Sequence, residues 1–233
     1  MKKRSRKIDV IVLTSIVLVM LLFDQITKIY VKTHFYYGES REITDWFYLA
    51  FIENNGMAFG TQILPKSLLT IIRLSFAFYL IWYLYIMHIT KHKFWYLCSV
   101  ALIIAGAFGN IFDNIFYGKL FTPSGFYEVS QMTFFEADSS PWFYGKVVDM
   151  LYFPLLEFDW PTFLPFVGGE HFIFFSPIFN VADAAVSCGT IILLLFYPKT
   201  LVSSFRLIAL ITKHKLRKHV ASRYSYFYKR NSI

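Results

Sequence analysis

Long apolar runs separated by short clusters of charge organise this chain. The first begins near Val10, and its helical spacing continues through Tyr30; three more cover residues 68–87, 96–117 and 178–197. Each is about the 20 residues that a helix needs to cross the hydrocarbon core of a bilayer, so the pattern predicts four spans. The basic start and apolar stretch of the first run resemble a signal peptide, but no small-residue cleavage site follows, and it reads as a retained span. In the fourth, Ser176 and Pro177 predict a cap followed by proline at the first helical position, and Pro198 predicts the stop.

Between the spans, residues 32–67 and 118–176 are too short for conventional soluble domains and are dense in Phe, Tyr and Trp. They are expected to lie on or dip into the membrane interface, where aromatic rings are favoured. Beyond Pro198, Leu201, Val202, Phe205, Ile208 and Leu210 stand among basic residues. That suits a segment lying on an anionic inner leaflet, and nearly as well a solvated, disordered one. The predicted fold is an all-α membrane protein of four transmembrane helices, with small β-containing and aromatic-rich outer loops. Residues 1–198 form the membrane domain, with insertions near 118–146 and 156–176, and 199–233 a basic cytoplasmic tail.

Composition supports the membrane class: 56% of the 233 residues are hydrophobic, 21% aromatic and 16% charged, too apolar for a soluble domain of this size. A net charge of +8 raises the question of nucleic acid, and the placement of the basic residues answers it. Sixteen of the 23 Lys and Arg lie before the first run, between the second and third, or after the fourth, where the only acid is Asp9. Under the positive-inside rule both termini and the short middle loop are cytoplasmic. Cys98 and Cys188 fall inside apolar runs, which indicates neither a disulfide framework nor a zinc site.

Ionisable groups inside a span are costly, by at least about 2.5 kcal/mol near its centre, so each needs a reason. Asp24 and Lys28 share a helix face at i, i+4; a structural pair fits them at least as well as a chemical role. Gly106, Asn110 and Asp113 face one way on the third span, flanked by Gly109 and Asn114, a pattern suited to a hydrogen-bonded helix seam. Asn180 and Asp183 stand one turn apart on the fourth, Asp183 about 9 Å inside the predicted start. Asp149 ends a short extended run after Gly145 and Lys146. If it folds back on Asp183, two carboxyls meet where they cannot both ionise easily, an arrangement that activates water without a metal. The six histidines show no ligand spacing, and no metal or other cofactor is expected.

Five ordered blocks carry a resemblance: Asp24-Gln25-Ile26-Thr27-Lys28, Asn54-Asn55-Gly56-Met57-Ala58-Phe59, Gly106-Ala107-Phe108-Gly109-Asn110-Ile111-Phe112-Asp113, Val147-Val148-Asp149 and Phe179-Asn180-Val181-Ala182-Asp183. Together with four spans they resemble the lipoprotein signal peptidase family, also called signal peptidase II. The resemblance implies an aspartic endopeptidase of the bacterial inner membrane, acting near its outer face. Such an enzyme removes the signal peptide from a prolipoprotein, on the N-terminal side of a cysteine already carrying diacylglycerol. It further implies a catalytic dyad of Asp149 and Asp183, substrate-binding residues Asn54, Gly56, Asn110 and Asn180, and support from Asp24, Lys28 and Asp113. The expected partners are the diacylglyceryl prolipoprotein and membrane lipid, with the enzyme working as a monomer. Departures are Asn114 where the family usually has arginine, and the 36 residues from Asp113 to Asp149 and 34 from Asp149 to Asp183, both long for the family. A small transporter and a catalytically dead lipoprotein-binding scaffold are the rival readings.

Overall fold

The computed structural model describes residues 6–55, 65–133, 135 and 140–213. The expectations for Lys2, Lys3 and Arg4, for Gly56 and its block through Phe59, for part of the first insertion and for the tail past Lys213 lie outside the described residues.

Three apolar helices dominate: α1 (Arg6–His34), α2 (Lys66–Ile89) and α3 (Phe94–Phe112). α3 runs on through a π-helical turn (Asp113–Tyr117) and the short α4 (Gly118–Leu120), giving a 27-residue stretch. These three are long and apolar enough to cross a membrane. α5 (Val181–Phe196) has 16 residues, about 24 Å of helix, and meets that length only together with the next helix, Pro198–Lys213, across a bend. Among the described residues the helices therefore supply three candidate spans, or four where that bent pair counts as one.

The predicted start of the fourth helix requires correction. Residues 177–180 are not helical; α5 opens at Val181 with Asp183 as its third residue. Tertiary pairing overrides the proline signal: the Phe179 carbonyl accepts from the amides of Met150 at 3.0 Å and Leu151 at 2.7 Å, and the Phe179 amide donates to Leu151. The chain is thus held extended as far as Phe179, and Asn180 caps the helix. Pro198 ends α5 as expected, but also opens the helix that follows.

Strands β1 (Ser40–Thr44), β2 (Phe47–Asn54) and β3 (Val147–Tyr152) form an antiparallel sheet in the order β1-β2-β3. The extended run expected before Asp149 is β3, and it continues past that residue. β4 (Leu156–Asp159) and β5 (His171–Phe174) form a separate hairpin. The architecture is mostly helical with two small sheets. A cluster of Val31, Phe35, Phe51, Tyr117, Phe121, Val148 and Met150 packs the main sheet against the ends of α1 and α3. By internal contacts the chain divides at Gly189 and Thr190: the first unit holds α1 to α3, all five strands and the start of α5, and the second holds the rest of α5 and the helix after it.

Candidate active site

Two glycines let α3 approach its neighbours closely. A Cβ on Gly109 would stand 2.6 Å from Asp24 Oδ2, and one on Gly106 would collide with the Ala182 carbonyl. The space they leave holds a buried polar cluster. Lys28 Nζ lies 2.9 Å from Asp24 Oδ2 and 2.7 Å from Asp113 Oδ2, with both partners buried. The contact with Asp113 Oδ2 is an ion pair without hydrogen-bond alignment; Asp113 Oδ1 accepts from Gln25 Nε2 at 2.9 Å. Tyr117, at the end of the π-helical turn, donates to Gln25 Oε1 at 3.0 Å. Asp24 Oδ1 also accepts the backbone N–H of Ala182 at 2.8 Å, so α1 satisfies one of the open amides at the start of α5.

Two asparagines hold the acids, and the first of them is fixed by this cluster. Lys28 donates to Asn110 Oδ1 at 2.9 Å. An ammonium can only donate, so the Asn110 amide is fixed with its nitrogen towards Asp183 Oδ1, 2.7 Å away. Asn180 is oriented in the same way: its Oδ1 accepts the backbone N–H of Asp183 at 2.9 Å as an N-cap, which leaves Nδ2 to donate to Asp149 Oδ1 at 2.7 Å. One side chain thus joins the two aspartates, one on a strand and one in the first turn of a helix, where the helix dipole favours negative charge. Asn54, at the end of β2, also hydrogen-bonds Asp149.

Asn54, Asn110, Asp149 and Asp183 line one cleft of about 510 Å³, beside Phe76, Ile111 and Val147. Burial and the neighbouring Asp183 charge push the Asp149 carboxyl up to about 7, against the pull of its bonds to Asn180 and Asn54 and of the Lys28 charge. An acid half ionised near neutrality beside a second carboxyl is suited to general acid–base chemistry.

A family model described as signal peptidase (SPase) II matches residues 16–198. The chain belongs to the signal peptidase II family. The chain is 43% identical over 192 residues to the lipoprotein signal peptidase of Porphyromonas gingivalis, covering 81% of this chain and 84% of the relative. To that of Amoebophilus asiaticus it is 34% identical over 187 residues, covering 77% and 75%. Two solved structures, each described as a bacterial membrane enzyme, match in fold: one at TM-score 0.53 and 21% identity over 81% of this chain and 89% of that one, the other at 0.52 and 22% over 80% and 94%. As a signal peptidase II, the chain is a bacterial membrane protease of the aspartic class, and its reaction is the removal of signal peptides from prolipoproteins.

Of the residues singled out from the sequence, the structure brings together Asp24, Lys28, Asn54, Asn110, Asp113, Asp149, Asn180 and Asp183. Asn114, where the family usually carries arginine, is buried; its Nδ2 bonds back to the Asn110 carbonyl at 2.9 Å, and its Oδ1 has no hydrogen-bond partner among the described residues. Sequence reasoning missed Arg73, which lines the cleft from α2 and interacts electrostatically with Asp183. The signal was there: it is an ionisable residue inside an apolar run, the same test that singled out Asp24. Glu53 was also missed. It pairs with Lys32 at 2.5 Å and Lys146 at 2.9 Å and accepts from Ser124 at 2.8 Å, tying β2 to α1 and to the residue just before β3.

Proposed function

We propose that this peptidase cuts on the N-terminal side of a diacylglyceryl-cysteine, with Asp149 and Asp183 as its catalytic dyad. The observation that carries the reading is the Asn180 amide, which accepts from the Asp183 backbone and donates to the Asp149 carboxyl, linking two acids that line one cleft. The dyad holds one proton, lodged on Asp149 and favoured there by burial and the Asp183 charge. Asp183 is the carboxylate, steadied by the Asn110 amide and the facing Arg73. It takes a proton from water as the water oxygen attacks the scissile carbonyl carbon, while Asp149 gives its proton to the carbonyl oxygen. In the resulting gem-diol, Asp183 passes its proton to the amide nitrogen. The C–N bond breaks, one hydroxyl returns its proton to Asp149, and a carboxylic acid and a free amine leave.

Asn54, Gly56, Asn110 and Asn180 bind the substrate, and Asp24, Lys28 and Asp113 support them. In this reading the chain crosses the inner membrane four times, with both termini in the cytoplasm and the cleft near the outer face, where a monomer meets a membrane-anchored precursor. The distribution of Lys and Arg supports this orientation. The test is cleavage of a diacylglyceryl-cysteine precursor by purified enzyme in lipid. Asp149→Asn and Asp183→Asn should each lose processing while still inserting and accumulating, and an unmodified precursor should be cut poorly. Turnover retained by either variant would overturn the dyad.

A further inference from the structure

The hairpin of β4 and β5, an insertion that the cleft does not use, has two unlike faces. Its register pairs Leu156 with Phe174 and Phe158 with Phe172, and, in alternation, Glu157 with Ile173 and Asp159 with His171. Because successive side chains of a strand point to opposite sides, one face is wholly apolar. The other carries Glu157, Asp159 and His171, with Ile173 the single apolar member. On the polar face the His171 ring lies 2.8 Å from Asp159 and 4.0 Å from Glu157. On the apolar face Phe158, Phe172 and Trp160 form a ring cluster with centroids 4.9 to 5.7 Å apart. The cluster nevertheless remains open: Leu156, Phe158, Phe172 and Phe174 are all exposed, and at the tip Phe163 is 82% and Phe166 100% exposed.

Chain length restricts what can cover this face. Three residues join β3 to β4, and six join β5 to α5. At no more than about 3.6 Å per step from residue to residue, these tethers reach roughly 14 and 25 Å. The hairpin therefore stays near the start of α5, an apolar helix that together with the one after it is long enough to cross a membrane. At its base a chain of ring contacts through Trp46, Phe47, Phe153, Phe179 and Phe175 continues the aromatic surface from the β1–β2 turn to the residue before the α5 cap. Aromatic rings beside polar groups at the end of a span are the chemistry of the membrane–water interface.

We infer that the β4–β5 hairpin is a membrane-docking element: it lays the Leu156, Phe158, Phe172 and Phe174 face and its Phe163 and Phe166 tip into the outer leaflet, and turns Glu157, Asp159 and His171 to water. The occupant is phospholipid at headgroup depth, and the docking holds the hairpin level with the bilayer around α5. It does not depend on the assignment of the dyad.

The test uses the full chain, with Cys188→Ser to remove the exposed thiol, in bilayers of phosphatidylethanolamine and phosphatidylglycerol. A nitroxide is placed through Phe158→Cys or Asp159→Cys, adjacent residues on opposite faces. The ratio of collision rates with oxygen and with a water-soluble nickel reagent should be several-fold higher at 158 than at 159. Equal, water-like ratios at both positions would overturn the proposal. So would a site at 158 that is shielded only when a diacylglyceryl precursor is added, since the face would then belong to the substrate. Trp160→Phe gives a label-free check: quenching of tryptophan emission by brominated phospholipid should fall relative to the parent, and unchanged quenching counts against docking.

Discussion

At the level of single residues, Asp149 is the group whose charge state sets the pH behaviour. Its carboxyl is pushed up to about 7 by burial and the Asp183 charge, so kcat/KM should fall as pH rises through about 7 and the proton donor is lost. A profile flat from about pH 6 to 9 would contradict the assignment of the proton. Stability carries the same sign. The native state keeps a proton that the unfolded chain gives up near the ordinary aspartate value, so this contribution is complete below that value and fades as pH rises through about 7. Asp149→Asn should therefore melt above the parent protein at alkaline pH, with the gap closing in acid. Lys28 presents the opposite case. Lys28→Met leaves Asp24 and Asp113 buried without their cation and should destabilise by about 3–5 kcal/mol in denaturant titration in detergent. Asn110→Ala should cost only about 1–3 kcal/mol, yet reduce cleavage sharply, because it strips Asp183 of its donor while the ion cluster survives.

Among the elements, the junction of β3 with α5 decides the geometry. Asn180→Ala removes a helix cap, worth about 1 kcal/mol, and at once releases Asp149 from its amide; activity should fall far more than the melting temperature. If the two losses match, Asn180 acts only as a cap. The seam of α3 is less forgiving: Gly106→Leu should prevent accumulation of folded protein, since its Cβ alone would meet the Ala182 carbonyl. How far the sequence revealed these elements follows from the physics that forms them. α1, α2 and α3 were legible because apolar runs of span length have one stable solution in lipid. The Asp24–Lys28 pair was legible from i, i+4 spacing, and Gly106, Asn110 and Asp113 from their common face. The start of α5 was misread because Pro177 satisfies a local rule, whereas the strand-like bonds of Phe179 to β3 arise from a partner distant in sequence. Arg73 faces Asp183 through the packing of α2, which periodicity does not encode.

For the molecule as a whole, the three-stranded sheet is tied to α1 by an ion network centred on Glu53. Burial alone would push Glu53 up, but Lys32 and Lys146 outweigh it and hold its carboxyl below the usual range. A lowered acid stabilises above its unfolded value and loses that contribution as pH falls through the folded one. Glu53→Gln leaves Lys32 buried without its carboxylate, and should cost about 3–5 kcal/mol near neutrality, with a gap to the parent that narrows in acid. Loss of stability independent of pH would mean that packing, not charge, is what Glu53 supplies. The orientation proposed for the chain has its own check: a reporter fused within the Lys91–Lys93 loop should be active only in its cytoplasmic form.

The Asn180 amide has a consequence for how such an enzyme can vary. The spacing of its two acids is gauged across the Asn180 side chain and the Phe179 pairing with β3, and not along the rest of the 34 residues of sequence between them. Lineages are free to lengthen, shorten or redecorate that connecting stretch without retuning the chemistry, provided the gauge itself is left alone.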